Sequence, residues 1–278
     1  MPKRLARLAA TFYPSLMRIL ITNDDGIMAP GLAVLYDVAE KLAGPKGEVW
    51  TVAPQTEQSG VGHCISYTKP VLVHQYSPFK FAVEGSPADC VLAGLNDLLS
   101  EPPDLVLSGV NKGNNSAENT VYSGTIGAAM EAALAGIPSI AMSQFFGPEN
   151  SILENSFEAS AAHGVAAVEA CLDAGFTRAH DYALFYNVNF PPVPAAGVLG
   201  LKSASQGYRG DGAFSAHATN APNGRKFLFM HGRPQQAPTQ DGTDAAVNLA
   251  GYVSITPMRA NLTAHDQLNH LARILANK

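Results

Sequence analysis

Two adjacent carboxylates, Asp24 and Asp25, follow the short run Arg18-Ile19-Leu20-Ile21-Thr22 and precede Gly26. An apolar, β-branched run of that length reads as a strand buried on both faces. Ligands of open α/β sheets sit beyond the carboxyl ends of such strands. Side by side there, two Asp repel each other and the pKa of one rises unless a cation intervenes. Hard divalent ions favour such oxygens. The stretch carries neither the G-x-G-x-x-G dinucleotide turn nor the G-x-x-x-x-G-K-[ST] phosphate loop. The plainer alternative is an acidic cap on the helix that follows.

Three more polar clusters lie near the ends of expected strands: Ser59-Gly60-Val61-Gly62-His63, Ser108-Gly109-Val110-Asn111-Lys112-Gly113-Asn114-Asn115, and Tyr122-Ser123-Gly124-Thr125. In a doubly wound sheet these loops meet on one rim. Asp24 and Asp25 would supply charge for a divalent cation, and Ser59 and Asn111 could complete its shell with neutral oxygens. Ser123, Gly124 and Thr125 open a helix, where free amides, two hydroxyls and the positive end of the helix dipole make an anion site. Lys112 could add positive charge. A metal beside a phosphate-sized pocket implies phosphoryl chemistry, in which the ion lowers the pKa of bound water from about 16 to nearer 7. Positioning and electrostatics then carry most of the catalysis.

Each cluster also has a structural reading. Ser123 and Thr125 fit ordinary N-caps, Ser59 fits a loop hydroxyl, and the Ser108–Gly113 stretch fits a turn that needs its glycines. His63 reads as a structural or surface histidine. Glu84-Gly85-Ser86-Pro87-Ala88-Asp89-Cys90 reads as a turn and helix cap that braces the site, with Cys90 a core thiol.

The elements that must position these residues alternate. Leu32, Leu35, Val38, Ala39 and Leu42 recur at helical spacing and stop at Gly44-Pro45; a strand over 49–53 ends at Pro54. Extended segments are expected at 65–68, 71–75 and 79–83, then an amphipathic helix over 88–99 and a buried strand over 105–107. A small-residue helix over 124–135 closes at Gly136, followed by a strand over 139–142 and a helix around 157–174. The βαβ series predicts an α/β fold, a doubly wound, mostly parallel Rossmann-like sheet. From about residue 195 Gly, Ser, Asn, Pro and Gln dominate, with strands expected at 227–230 and 252–256. A last helix is expected from near Thr263, where Thr263 and Asp266 have capping-box spacing. This divides the chain into 1–16, 17–200 as the catalytic domain, and 201–278 as a C-terminal β-hairpin and helix appendage used in oligomerisation.

Composition sets limits. The chain has 278 residues, is 46% hydrophobic and 15% charged, and carries a net charge of -5, enough to bury a large core. A basic face for a nucleic-acid duplex is not expected, nor is membrane association, because no apolar run is long enough to span a bilayer. Cys64, Cys90 and Cys171 are scattered and without C-x-x-C spacing, which predicts reduced thiols and a cytoplasmic location. Residues 1–16 resemble a signal-peptide start, with Lys3, Arg4 and Arg7 before Leu and Ala, but Tyr13-Pro14 interrupts the short apolar part. They are expected to be a loosely ordered extension arising from an upstream start codon.

Taken in order, these stretches resemble the SurE family, the stationary-phase survival protein E group of 5'/3'-nucleotidases. The matching segments are 19–26, 52–54 with 58–63, 85–91, Ser108-Gly109-Val110-Asn111-Lys112-Gly113 with Asn115, 122–125, 136–141 and Gly251-Tyr252-Val253-Ser254-Ile255-Thr256-Pro257. The resemblance spans roughly residues 17–275. It implies a phosphomonoesterase acting on nucleoside monophosphates, with some members also trimming polyphosphate. It implies one divalent metal ion per subunit, of the Mg²⁺ or Mn²⁺ class, on Asp24, Asp25, Ser59 and Asn111, and a phosphate pocket of Asn115, Ser123, Gly124 and Thr125. Asp24 is the residue expected to orient the attacking water. Exchange of the C-terminal hairpin and helix between subunits implies a homodimer or homotetramer. Asn119 departs from the family pattern, which has Asp at that place, and 205–245 matches only loosely. Two rival readings are a metal-dependent nucleotide-sugar transferase and a non-catalytic nucleotide- or phosphate-binding module.

Overall fold

A computed structural model of the protein describes residues 17–179, 182–210 and 214–276; the expectation for residues 1–16 lies outside them. The chain runs β1 (Arg18–Thr22), α1 (Pro30–Ala43), β2 (Glu48–Pro54), β3 (Val73–Ser77), β4 (Lys80–Val83), α2 (Pro87–Ala93), β5 (Leu105–Lys112), α3 (Asn119–Tyr122), α4 (Gly124–Leu134) and β6 (Ser139–Gln144). It continues with α5 (Glu158–Ala174), β7 (Arg178–Ala179), β8 (Tyr182–Ala183), β9 (Phe185–Phe190), β10 (Leu201–Ser203), β11 (Phe214–Asn220), β12 (Lys226–Gly232), α6 (Asp244–Leu249), β13 (Val253–Met258) and α7 (Leu268–Ala276).

Among the described residues nine strands form one sheet in the order β10-β13-β9-β6-β5-β1-β2-β4-β3. All its pairings are parallel except β3 with β4 and β13 with β9. The chain leaves β1 towards β2 on one side and returns to pair β5 on the other, so the switch point of this doubly wound sheet lies between β1 and β5. Successive residues of β1 feed opposite layers. Ile19 and Ile21 join the core under α1 and α5, while Leu20 joins the cluster with Val52, Val91 and Ala128 under α2 and α4. That alternation is the period-2 geometry of a strand covered on both faces.

The helices follow their sequence signals. In α1 the buried set includes Leu32, Leu35, Val38, Ala39 and Leu42; Pro30 sits at its start and Gly44, at φ 69°, ends it. Ser86 caps α2 in a reciprocal box with Asp89. A single π-turn over 94–98 continues the helix expected to reach residue 99.

Several expectations change. Residues 65–68 are not a strand: Ser66 N–H donates to the Asp89 side chain, not to a neighbouring strand, and the carbonyl of the preceding Cys64 accepts from Ser86 Oγ. The Ser108–Lys112 stretch, expected as a loop, belongs to β5, with a register shift against β6 between Ser108 and Asn111. Strand β9 was not expected. Its sequence Phe-Tyr-Asn-Val-Asn-Phe is fully buried, with two Asn that ordinarily disfavour a strand. The last helix begins close to the expected Thr263, as a 3-10 turn over His265–Gln267 that continues into α7, but Thr263 N–H bonds Asn261 Oδ1 in place of a capping box. The boundary at 200/201 is not the edge of the sheet, since β10 and β13 join it. Outside it stand the β11–β12 hairpin and α7, whose Phe227, Leu228, Phe229, Met230, Leu271 and Leu275 are exposed.

Candidate active site

At the switch point, one cleft of about 280 Å³ gathers residues from all four polar clusters: Asp24, Ser59 with Gly60, Asn111 through Asn115, and Tyr122 with Ser123. Its size is at the lower end for small-molecule sites. Asp25, Gly124 and Thr125 are not part of this lining; Asp25 is half-buried and sequence-adjacent to Asp24, and Thr125 bonds Asp24 directly.

Asp24 follows β1 and is only 4% exposed. Its Oδ1 accepts a 2.6 Å hydrogen bond from Thr125 Oγ1. Burial pushes its carboxyl up from 3.8 to about 6; the Thr125 hydroxyl opposes this, and the neighbouring Asp25 charge adds to it. Asp25 is also raised, by burial first, with the Glu57 charge adding and the Lys112 amide opposing. That amide donates to Asp25 Oδ2 at 3.0 Å. The protein thus places two carboxylates together where their ionisation is costly.

Thr125 and Gly124, expected in the phosphate pocket, are not among the residues lining the cleft and pack against Asp24. Thr125 is fully buried, and its hydroxyl and backbone amide both favour the Asp24 carboxylate. The positive start of α4 therefore meets the protein's own carboxylate first. Gly124 allows the approach: a Cβ there would lie 3.0 Å from both Asp24 Cβ and Pro87 Cγ. Ser123 lines the cleft and also caps α4, its Oγ accepting from Ile126 N–H.

Ser59 is exposed, and its Oγ donates to Glu57 Oε1 at 2.7 Å. Asn111 is nearly buried, and its Nδ2 donates to Gly113 O at 2.8 Å. These bonds use the proton of Ser59 and the amino group of Asn111, so the acceptor lone pairs of both are the parts free to meet a cation. With the two carboxylates they make an all-oxygen donor set, which fits a hard divalent ion. Among the described residues no cluster of three or more His, Cys, Asp or Glu offers a rival metal site. His63 bonds Glu131 on α4 at 2.6 Å, as a structural histidine would.

Asn115 is buried in an amide network. Its N–H donates to Asn189 Oδ1, its Nδ2 to Ser143 Oγ, and its carbonyl accepts from Asn187 Nδ2. Asn187 and Asn189, on the unexpected β9, hold this corner of the cleft; their i, i+2 spacing was the available signal. Asn119, Phe146, Phe214 and Gln235 also line the cleft. Asn119 Nδ2 donates to Gln235 Oε1 at 2.6 Å, and the Tyr122 and Phe214 rings meet edge to face at 5.0 Å. Nothing local in the sequence pairs Asn119 with a residue 116 positions away.

The family described as "Survival protein SurE" matches residues 19–212. A protein of Roseobacter denitrificans named "5'-nucleotidase SurE" is 63% identical, over 93% of this chain and 99% of its own length. One of Jannaschia sp. with the same name is 63% identical over 92% and 98%. The crystal structure of a SurE protein from Aquifex aeolicus superposes with a TM-score of 0.77 at 34% identity, covering 93% of this chain and 99% of that one.

Proposed function

This chain belongs to the survival protein SurE family, and we propose that it is a divalent-metal-dependent phosphomonoesterase that hydrolyses nucleoside 5'- and 3'-monophosphates and trims short polyphosphate. The observation that carries this reading is the convergence of Asp24, Ser59, Asn111, Asn115 and Ser123 on one cleft from separate parts of the chain. The 5'-nucleotidase name of its 63%-identical relative supports the nucleotide substrate.

In this reading Asp24, Asp25, Ser59 and Asn111 hold one Mg²⁺- or Mn²⁺-class ion, which when bound polarises a phosphoryl oxygen and acidifies water. Asp24, with its carboxyl near 6 in the metal-free protein, orients the attacking water. Asn115 and Ser123 bind the phosphate, with Lys112 adding positive charge. Gly124 and Thr125 act one layer behind, fixing Asp24. The Tyr122–Phe214 wall supplies an aromatic surface for the nucleoside. The exposed hairpin and α7 are proposed to bury their apolar residues in a homodimer or homotetramer. Three free thiols suit a reducing cytoplasm.

Phosphate release should be measured over nucleoside monophosphates and short polyphosphate, with and without Mg²⁺ and Mn²⁺. Asp24→Asn and Asp25→Asn should each abolish release while the fold survives. Full activity of both variants in excess chelator would sink the proposal. Binding without turnover would favour a non-catalytic module, and a requirement for a second, acceptor substrate would favour a transferase.

A further inference from the structure

The loop that carries Asn114 and Asn115 into the cleft turns at Ala117, a fully buried residue with φ 52°. The left-handed region is costly for a residue with a Cβ and persists only where the surroundings hold it. Here the hold comes from far along the chain. Ala117 N–H donates to both carboxylate oxygens of Asp244 at 3.1 Å, and Ala117 O accepts from Gln206 Nε2 at 3.1 Å. Asp244 is fully buried and also accepts from Gly207 N–H at 2.9 Å and Ala245 N–H at 2.7 Å. On the neighbouring residues, Arg209 donates to Ser116 O at 3.1 Å and Ser116 Oγ at 3.0 Å, and it pairs with Glu118. The Arg209 backbone N–H also donates to Glu118. Ser116, Ala117 and Glu118 are therefore each tied to side chains or backbone of 206–209 and 244. The same loop continues into Asn119, whose Nδ2 returns to Asn114 O and Oδ1.

We infer that Asp244 and Arg209 are positioning residues: they clamp the 114–119 loop in its left-handed turn and so set Asn114, Asn115 and Asn119 against the substrate. A buried carboxylate accepting several backbone amides is a strong, directional anchor. Loop error matters because misplacement of about 1 Å at a site can cost on the order of 100-fold in rate. The inference rests on the cleft being the substrate site, so its test includes a readout that needs no substrate.

Amide hydrogen exchange across 114–120 should be slow in the wild-type protein and faster in Asp244→Asn and in Arg209→Lys, which keeps charge but loses the guanidinium fork. With metal supplied, Asp244→Asn should lose about 10-fold or more in kcat/KM, within the range for displaced site residues. Ala117→Gly supplies a rescue, because glycine takes positive φ without the steric cost. The double variant Asp244→Asn/Ala117→Gly should recover to within about threefold of Ala117→Gly alone, since the clamp's task at that residue is removed. Folded Asp244→Asn with wild-type exchange and kcat/KM would overturn the clamp, as would a double variant no better than Asp244→Asn. If Asp244→Asn does not fold, fast wild-type exchange at Ala117, or wild-type exchange in Arg209→Lys, overturns it equally. Slow exchange with no phosphate release from any nucleotide would leave the clamp standing and remove the substrate assignment instead.

Discussion

Asp24 is a carboxylate kept from water beside a second carboxylate, with the start of a helix turned towards it. Burial wins over the Thr125 hydrogen bond, so its folded pKa is about 6 against an ordinary 3.8. Between those two values the folded protein keeps a proton that the unfolded chain has released. Stability in the metal-free state therefore falls as pH rises through that window, and the loss is complete above it. Asn carries no such charge. In chelator, the Tm of Asp24→Asn relative to wild type should accordingly become more favourable from pH 4 to pH 7, in thermal melts of both proteins. An ion on the pair reverses the local charge balance, so the gain in wild-type Tm on adding Mn²⁺ should be larger at pH 7 than at pH 5. Equal gains at the two pH values would count against the pair as its ligands.

At the scale of elements, the position of Asn111, one of the proposed metal ligands, depends on how strand β5 is deformed. Its pairing with β6 shifts register between Ser108 and Asn111, which delivers Asn111 to the cleft. Gly109 sits in that shift with φ 135°, and a Cβ there would lie 2.1 Å from Met142 O on β6. Both strands are buried and central, so neither can move aside cheaply. Gly109→Ala should destabilise by about 3 kcal/mol, the sum of overpacking and backbone strain, read from urea unfolding. Folded material should also release phosphate more slowly, because the strain falls two residues from Asn111. A variant as stable and active as wild type would show that the shift does not depend on glycine.

For the whole molecule, the unpaired apolar surface is the feature that a single chain leaves unexplained. Helix α7 exposes Leu268, Leu271, Ile274 and Leu275, and the hairpin exposes Phe227, Leu228, Phe229 and Met230. A nine-residue helix with no buried face is marginal by itself in water. The proposed homo-oligomer would bury both. Removing residues 259–278 should lower the sedimentation-derived mass per particle, and the full-length chain should sediment as a dimer or tetramer. A full-length monomer at micromolar concentration would refute this arm of the proposal. The base of the hairpin also reaches the cleft through Phe214, Gly232 and Gln235, so in the proposed oligomer assembly and substrate access would share one element.

Local periodicity and local chemistry were legible in the order of the residues. The buried run before Asp24, the spacing of α1, the cap of α2 and the small-residue helix α4 all follow from neighbours within a few positions. The order of polar loops along a βαβ chain likewise pointed to one rim. What depends on partners far away in the chain became visible only in the folded molecule. Thr125 reads locally as a hydroxyl for an anion, yet it serves Asp24, 101 residues earlier. Asn187 and Asn189 carry no local signal of their own, yet β9 buries them between β6 and β13, where both bond Asn115. Asp244 reads as part of an appendage, yet it anchors Ala117 across 127 residues. A buried polar group needs a partner, but nothing in the sequence requires that partner to be near.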